Sequence, residues 1–248
     1  MNTYSMGRIT GPLFLLLSLT ACHAPSSLSG TIKGIEKEGV TIYLIEPEGL
    51  REVAASYFGK VIDSAAVGAD GSFEFQHMPA AKGPVLLELA IQRSTTYPNY
   101  LRTDDPATAN YMPILWRPGE SIRITAQVDA FQRSFSIEHP SAVNQALLGL
   151  RDINDKAFQA YLAGKNWQLE DGRQLLEKEE AILNYQTELM KFADTTQYLM
   201  PALEALRWVS PVNDYERVPE FLVDQCTKWE KKQADDPWVK QLCKESEP

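Results

Sequence analysis

The stretch SFSIEHPSAVNQALLGL, residues 134–150, changes its period at the proline. Before Pro140, Phe135 and Ile137 alternate with Ser134, Ser136 and Glu138, the two-residue repeat of a strand with one buried and one wet face. After it, Ser141 can cap a helix, and Val143, Leu147, Leu150, Ile153, Ala157 and Tyr161 fall at three- and four-residue steps, a single apolar stripe. The chain therefore predicts a β half and a helical half that meet near Pro140, an α+β fold.

Working back from that point, short β-branched or aromatic runs are punctuated by Gly, Pro and Asp. Ile122 and Ile124 alternate with Arg123 and Thr125, and Phe73 and Phe75 flank Glu74. The run GADGSF, residues 68–73, is a turn signal, because Asp and Gly tolerate the backbone angles a hairpin needs. Seven or eight strands between residues 28 and 140 predict an antiparallel β-sandwich or open barrel. Working forward, Gly164 ends the first helix, and Leu175, Leu176, Ile182, Leu183, Leu189 and Phe192 repeat the helical stripe. Pro201 and Pro219 belong in the first turns of shorter helices or at kinks, and Pro237 opens a last one. The expected organisation is a sandwich over 28–140 and a small α-helical bundle over 141–248.

The N-terminal end carries an address. Arg8 is the only charge before an apolar run from Pro12 to Leu19, the pattern of a secretory signal over residues 1–21. Eight apolar residues reach about 12 Å as a helix, too short for the roughly 30 Å hydrocarbon core of a bilayer. Leu19-Thr20-Ala21-Cys22 resembles a bacterial lipobox, whose cysteine takes lipid through its sulfur and becomes the new N-terminus. An ordinary signal peptide with a chance cysteine is the alternative. Residues 22–27 then read as a tether, and removing residues 1–21 from the 248 leaves 227. Acyl chains such as palmitate would hold this lipoprotein at the cell envelope, the outer membrane being favoured by the absence of Asp just after Cys22.

Composition narrows the partners. The net charge of −9 disfavours nucleic acid and anionic lipid surfaces, and a hydrophobic fraction of 44% is that of a folded chain. With Cys22 acylated, Cys226 and Cys243 remain, and an even count outside the cytoplasm permits a disulfide. Two unpaired, partly buried thiols are the alternative. A bridge over so small a loop would contribute about 3 kcal/mol in the chain-entropy description.

Four segments of the β half and its boundary follow in a telling order: GVTIYLIE, VIDSAAVGADGSFEF, WRPGESIRI and SAVNQALLGL. Their succession resembles the N-terminal domain of unknown function of lipid-anchored, thioredoxin-like thiol–disulfide oxidoreductases, over about residues 28–150. In such proteins a helical segment leads into a thioredoxin domain, and DDPWVKQLCKESEP resembles the last helical stretch before it. The resemblance implies a thioredoxin-associated role, not a redox centre. No Cys-X-X-Cys is present, so no catalytic residue of that family has a counterpart here.

Candidate sites are few. His23, His77 and His139 lack metal-ligand spacing, so no metal or other cofactor is expected, and scattered surface histidines fit them better. Asp104-Asp105, Glu179-Glu180 and Asp235-Asp236 lack the alternating oxygen ligands of a calcium loop. Asp63-Ser64 reads as a pair that caps neighbouring backbone groups. Asp63-Ser64-Ala65 and Asp194-Thr195-Thr196 also resemble a short acceptor pattern for periplasmic O-glycosylation, at Ser64 and Thr195. Residues 94–116 form a polar, tyrosine-rich stretch whose Tyr97, Tyr100, Tyr111 and Trp116 could line a binding loop, or pack back on the sheet. The sequence thus predicts a non-catalytic envelope lipoprotein that binds a partner, with an accessory role beside a separate thioredoxin-like protein as the alternative.

Overall fold

The computed structural model describes residues 27–35, 39–53, 59–92, 105–168, 172–210 and 218–247. Among these residues, eight strands form two four-stranded sheets, and five helices follow them. The strands are β1 (Leu28–Lys33), β2 (Thr41–Glu46), β3 (Lys60–Ala66), β4 (Ser72–Glu74), β5 (Val85–Gln92), β6 (Tyr111–Trp116), β7 (Ile122–Gln127) and β8 (Ser136–Ile137). One sheet has the order β4-β1-β7-β8, the other β3-β2-β5-β6.

Two details correct the sequence reading. Not every pair is antiparallel: β1 and β7 run parallel, Leu28 against Ile122 through Lys33 against Gln127. The chain leaves the first sheet after β1, spends β2 and β3 in the second, and comes back to run beside its own start. The GADGSF turn is tight, with the Gly71 amide on the Gly68 carbonyl at 2.8 Å and Asp70 accepting from Ser72, but it joins no hairpin. It carries the chain from β3 in one sheet to β4 in the other. Gly71 is required there: its φ is +82°, and a Cβ would lie 2.3 Å from the Ile32 carbonyl oxygen. Gly30 serves the parallel pair, where a Cβ would meet the Ile124 oxygen at 2.2 Å.

Two apolar clusters organise the molecule. The first takes Leu28, Ile32, Ile122 and Ile124 from one sheet and Ile42, Leu44, Leu87, Leu89, Met112 and Ile114 from the other. The second takes the opposite face of β2, β5 and β6, through Ile45, Leu86, Ala90 and Tyr111, and sets it against helical residues such as Leu189, Leu203, Leu206 and Trp229. Strand β5 is therefore covered on both faces, which is why VLLELAIQ reads as an almost unbroken apolar run.

The helices are α2 (Ala142–Tyr161), α3 (Gly172–Thr195), α4 (Leu199–Val209), α5 (Pro219–Gln233) and α6 (Pro237–Glu245); a single turn, α1 (Phe131–Ser134), precedes β8. Ser141 accepts from the Asn144 amide, as its position at the α2 N-terminus predicts. Asn144 itself closes a sheet edge. Its side chain accepts from the Leu115 amide at 2.7 Å and donates to the Leu115 carbonyl at 2.9 Å, standing in for a neighbouring strand along β6. Pro113 is tolerated in β6 because that strand lies at the edge. Helix α4 is buried around almost its whole circumference.

Helix α3 departs from its expected stripe. Leu189 is buried, but Leu175, Leu176 and Leu183 are 41%, 71% and 43% exposed. With 24 residues α3 is about 36 Å long, whereas the 11 residues of α4 reach about 16 Å. The buried positions Gln186, Leu189 and Ala193 all belong to its last ten residues. The leading half of α3 overhangs its partner.

Candidate functional site

Helices α3 and α5 form the walls of an open groove of about 500 Å³. From α3 it is lined by Thr187, Met190, Lys191 and Asp194, on the face beside that of the buried Leu189 and Ala193. From the start of α5 come Val218, Pro219, Glu220, Phe221 and Asp224. Pro219 stands at the first helical position, where its missing N–H costs nothing, and Phe221 roots that turn in the core.

The groove is braced at one end. Lys228 of α5 donates through Nζ to the carbonyls of Ala193, Asp194 and Thr196, closing the unsatisfied C-terminus of α3. Gln225 donates to Asp194 at 2.6 Å and accepts from the Trp229 indole at 3.3 Å. The Lys228 ammonium lies 4.7 Å from the Trp229 ring centroid. Burial, and the nearby Lys232, hold its pKa below the usual lysine value. Two neighbouring helices are thus fixed against each other by a lysine and an amide rather than by apolar contact alone.

The rim is acidic. Asp194, Glu220 and Asp224 line the groove, against the single cation Lys191. Lys191 is bonded to Glu188 at 2.8 Å, and that contact holds its pKa above the usual value. The side chains on offer therefore combine an apolar floor of Met190, Val218 and Phe221 with three carboxylates, of which Asp194 also lies near the Lys228 ammonium. Behind α5, Cys226 and Cys243 are joined as a disulfide with their Cα atoms 4.9 Å apart, tying α5 to α6.

A second unusual constellation lies in the interface between sheet and helices. Glu88 of β5 and Glu204 of α4 are 2% and 0% exposed. Both Glu204 carboxyl oxygens and one of Glu88 have no hydrogen-bond partner. Desolvation raises both pKa values, Glu204 to about 8 and Glu88 well above the carboxylate range. The Arg207 charge acts against desolvation at Glu204, and the nearness of Glu204 adds to the rise at Glu88. Arg207 is itself buried, and its guanidinium donates to the carbonyls of Val53, Ser210 and Arg51. Tyr111 accepts from the Trp208 indole at 2.8 Å in the same layer. Pattern reading missed Glu88, Glu204 and Arg207. An acid in the middle of VLLELAIQ was the available signal, since burying a carboxyl inside an apolar run demands a reason.

The residues expected to act are dispersed. Tyr111 and Trp116 occupy the two ends of β6 and are 4% and 2% exposed, so they pack inward and do not line a loop. Tyr111 meets Trp208, and the Trp116 indole donates to the Glu120 carbonyl. Tyr97 and Tyr100 lie outside the described residues, as do Cys22 and His23. Asp63 accepts from the amides of Ser64, Gln76 and His77 at 2.7–2.8 Å, a bracket between β3 and the segment after β4. Burial opposes its ionisation, but these amide hydrogens outweigh it and hold the pKa below the ordinary aspartate value. Ser64 is exposed; the Thr195 hydroxyl, also exposed, donates to the Lys191 carbonyl at 2.8 Å. His77 lies 3.4 Å from Asp63, and His139 borders a depression of about 290 Å³ with Ser27, Arg123 and Glu138. Asp236 caps α6 by accepting from the Trp238 amide, and Asp105 accepts from the Ala107 amide. Among the described residues no group of three or more His, Cys, Asp or Glu is placed to hold a metal ion. Among them, too, no helix is long and apolar enough to cross a membrane.

No family model, curated protein or solved structure matches the chain.

Proposed function

We propose that this chain is a lipid-anchored, non-catalytic binding module of the bacterial cell envelope, which holds a partner in the groove between α3 and α5. In this reading the two sheets stack as a β-sandwich, and the helices form a bundle laid over one outer face. Lipid on Cys22 would supply the anchor, with the outer membrane the favoured location. The observation that carries the binding role is the groove itself: an open space of about 500 Å³ with an apolar floor and charged rim, braced by Lys228 and Gln225. The disulfide between Cys226 and Cys243 supports an oxidising compartment.

Two experiments test the reading. The Cys22→Ser protein should fold normally and leave the membrane fraction; a variant that stays membrane-bound refutes the anchor. A photo-crosslinking amino acid at Thr187, on the groove wall, should give a discrete adduct in living cells, and its absence refutes the binding role.

An accessory role beside a separate thioredoxin-like protein is the second reading, and the disulfide favours it because Cys226 and Cys243 are both only half-buried. A thiol trap separates the two. Ready exchange under mild reductant supports redox work, whereas a bond that resists it supports a purely structural role.

A further inference from the structure

The groove does not end where its walls end. On α3, Thr187, Met190 and Asp194 share one face with Leu183, Glu180 and Leu176, at steps of three, four and seven residues. Leu183 is 43% exposed and Leu176 71%, so an apolar stripe runs out of the groove along the overhanging half of the helix. From Leu176 to Asp194 that stripe is about 27 Å long at 1.5 Å per residue. Isolated exposed leucines need no explanation, but an aligned series continuous with a cavity marks a contact surface.

Its charge says what would cover it. Glu180 lies on the stripe, and Asp194, Glu220 and Asp224 flank its deep end. Of the basic groups here, Lys191 is already paired with Glu188, and Lys228 at the braced end is bonded to the carbonyls of Ala193, Asp194 and Thr196. A second copy of this chain would bring the same acidic rim, and the chain as a whole carries −9. We propose that the surface from Leu176 to Asp194 receives a basic amphipathic helix of a partner protein, its apolar stripe on Leu176, Leu183 and Met190 and its Lys or Arg side chains against Glu180, Asp194, Glu220 and Asp224. Eighteen residues of helix match the length of the stripe. Arg is the better-suited cation for the carboxylates at the rim, since it can bind them bidentately. This inference rests on the binding role proposed above and specifies the partner's chemistry.

The test uses the full chain carrying Cys22→Ser and two fluorescent 18-residue peptides with one helical leucine pattern, the first with Lys and Arg between the leucines and the second with Glu. The cationic peptide should bind with an affinity that falls as salt rises, and the acidic peptide should not. The double variant Leu176→Ser, Leu183→Ser should weaken binding at least tenfold; both residues are exposed, so unchanged circular dichroism is expected. Asp194→Asn with Asp224→Asn should weaken it less and flatten the salt dependence. Equal binding of both peptides, or full affinity in the leucine variant, overturns the proposal. A dimer by light scattering that the leucine variant abolishes also overturns it, in favour of a second copy. If Thr187 crosslinks in cells but neither peptide binds, the partner chemistry fails while the binding role stands. If Thr187 yields no adduct, both fall.

Discussion

Replacing Glu204 by glutamine should make the protein more stable, by an amount that grows with pH. Glu204 is fully buried, both its oxygens lack partners, and its pKa stands at about 8 against 4.5 in an unfolded chain. Below 4.5 the carboxyl is protonated in both states and contributes no pH dependence. Between 4.5 and about 8 the unfolded chain releases a proton that the folded chain retains, so stability falls as pH rises. Each pH unit in that window removes about 1.4 kcal/mol, so the loss is about 3 kcal/mol at pH 7 and about 5 kcal/mol above pH 8, where it levels off. Glutamine keeps the shape and the unsatisfied polar atoms but cannot ionise. The difference between variant and wild type therefore reports the Glu204 proton together with its coupling to Glu88, while titrating groups distant from the pair cancel. Urea unfolding at pH 5, 7 and 9, followed through Trp208 and Trp229, measures it. A gap between the two proteins that stays constant across these pH values would refute the assignment.

Three further outcomes are expected. Asn144→Asp should cost about 2–3 kcal/mol in urea unfolding, because it removes a donor from the Leu115 carbonyl and buries a carboxylate against the edge of β6; a loss under 1 kcal/mol would mean water replaces the amide. Reducing the Cys226–Cys243 bond, whose loop spans 17 residues, should lower stability by about 3 kcal/mol without separating α5 from the core, since Phe221, Leu222 and Trp229 remain buried; full unfolding on reduction contradicts this. Asp63→Ala should cost about 2 kcal/mol at neutral pH, with the gap closing in acid, because the carboxylate's stabilisation is present above its unfolded pKa and disappears as pH falls through the lowered folded one; a gap independent of pH shows that shape rather than charge matters.

What the sequence could reveal divides along a physical line. Local signals were legible: Ser141 as a cap, Pro219 and Pro237 as first-turn residues, and the change of period at Pro140 depend on neighbours within one turn. Pairing was not. GADGSF specifies a turn by its own backbone angles, but whether β3 then meets β4 depends on residues such as Ile32 and Gly30, far away in sequence. The leucines of α3 show the same limit, since helical spacing defines a face but not the length of the helix that covers it. The groove was invisible for the opposite reason. Its walls come from two helices, and the link between them runs through Lys228 and Gln225, whose spacing carries no motif. The acid inside VLLELAIQ was readable as an anomaly, but its partner Glu204 becomes visible only once α4 lies on β5.

The place of β1 has a mechanical consequence. It is the first strand and yet an interior one, gripped on one side by β4 and on the other by six residues of β7 running the same way. A pull applied from the N-terminal side draws β1 out lengthwise. The ladders on both flanks must then yield together in shear, where an edge strand would unzip one bond at a time.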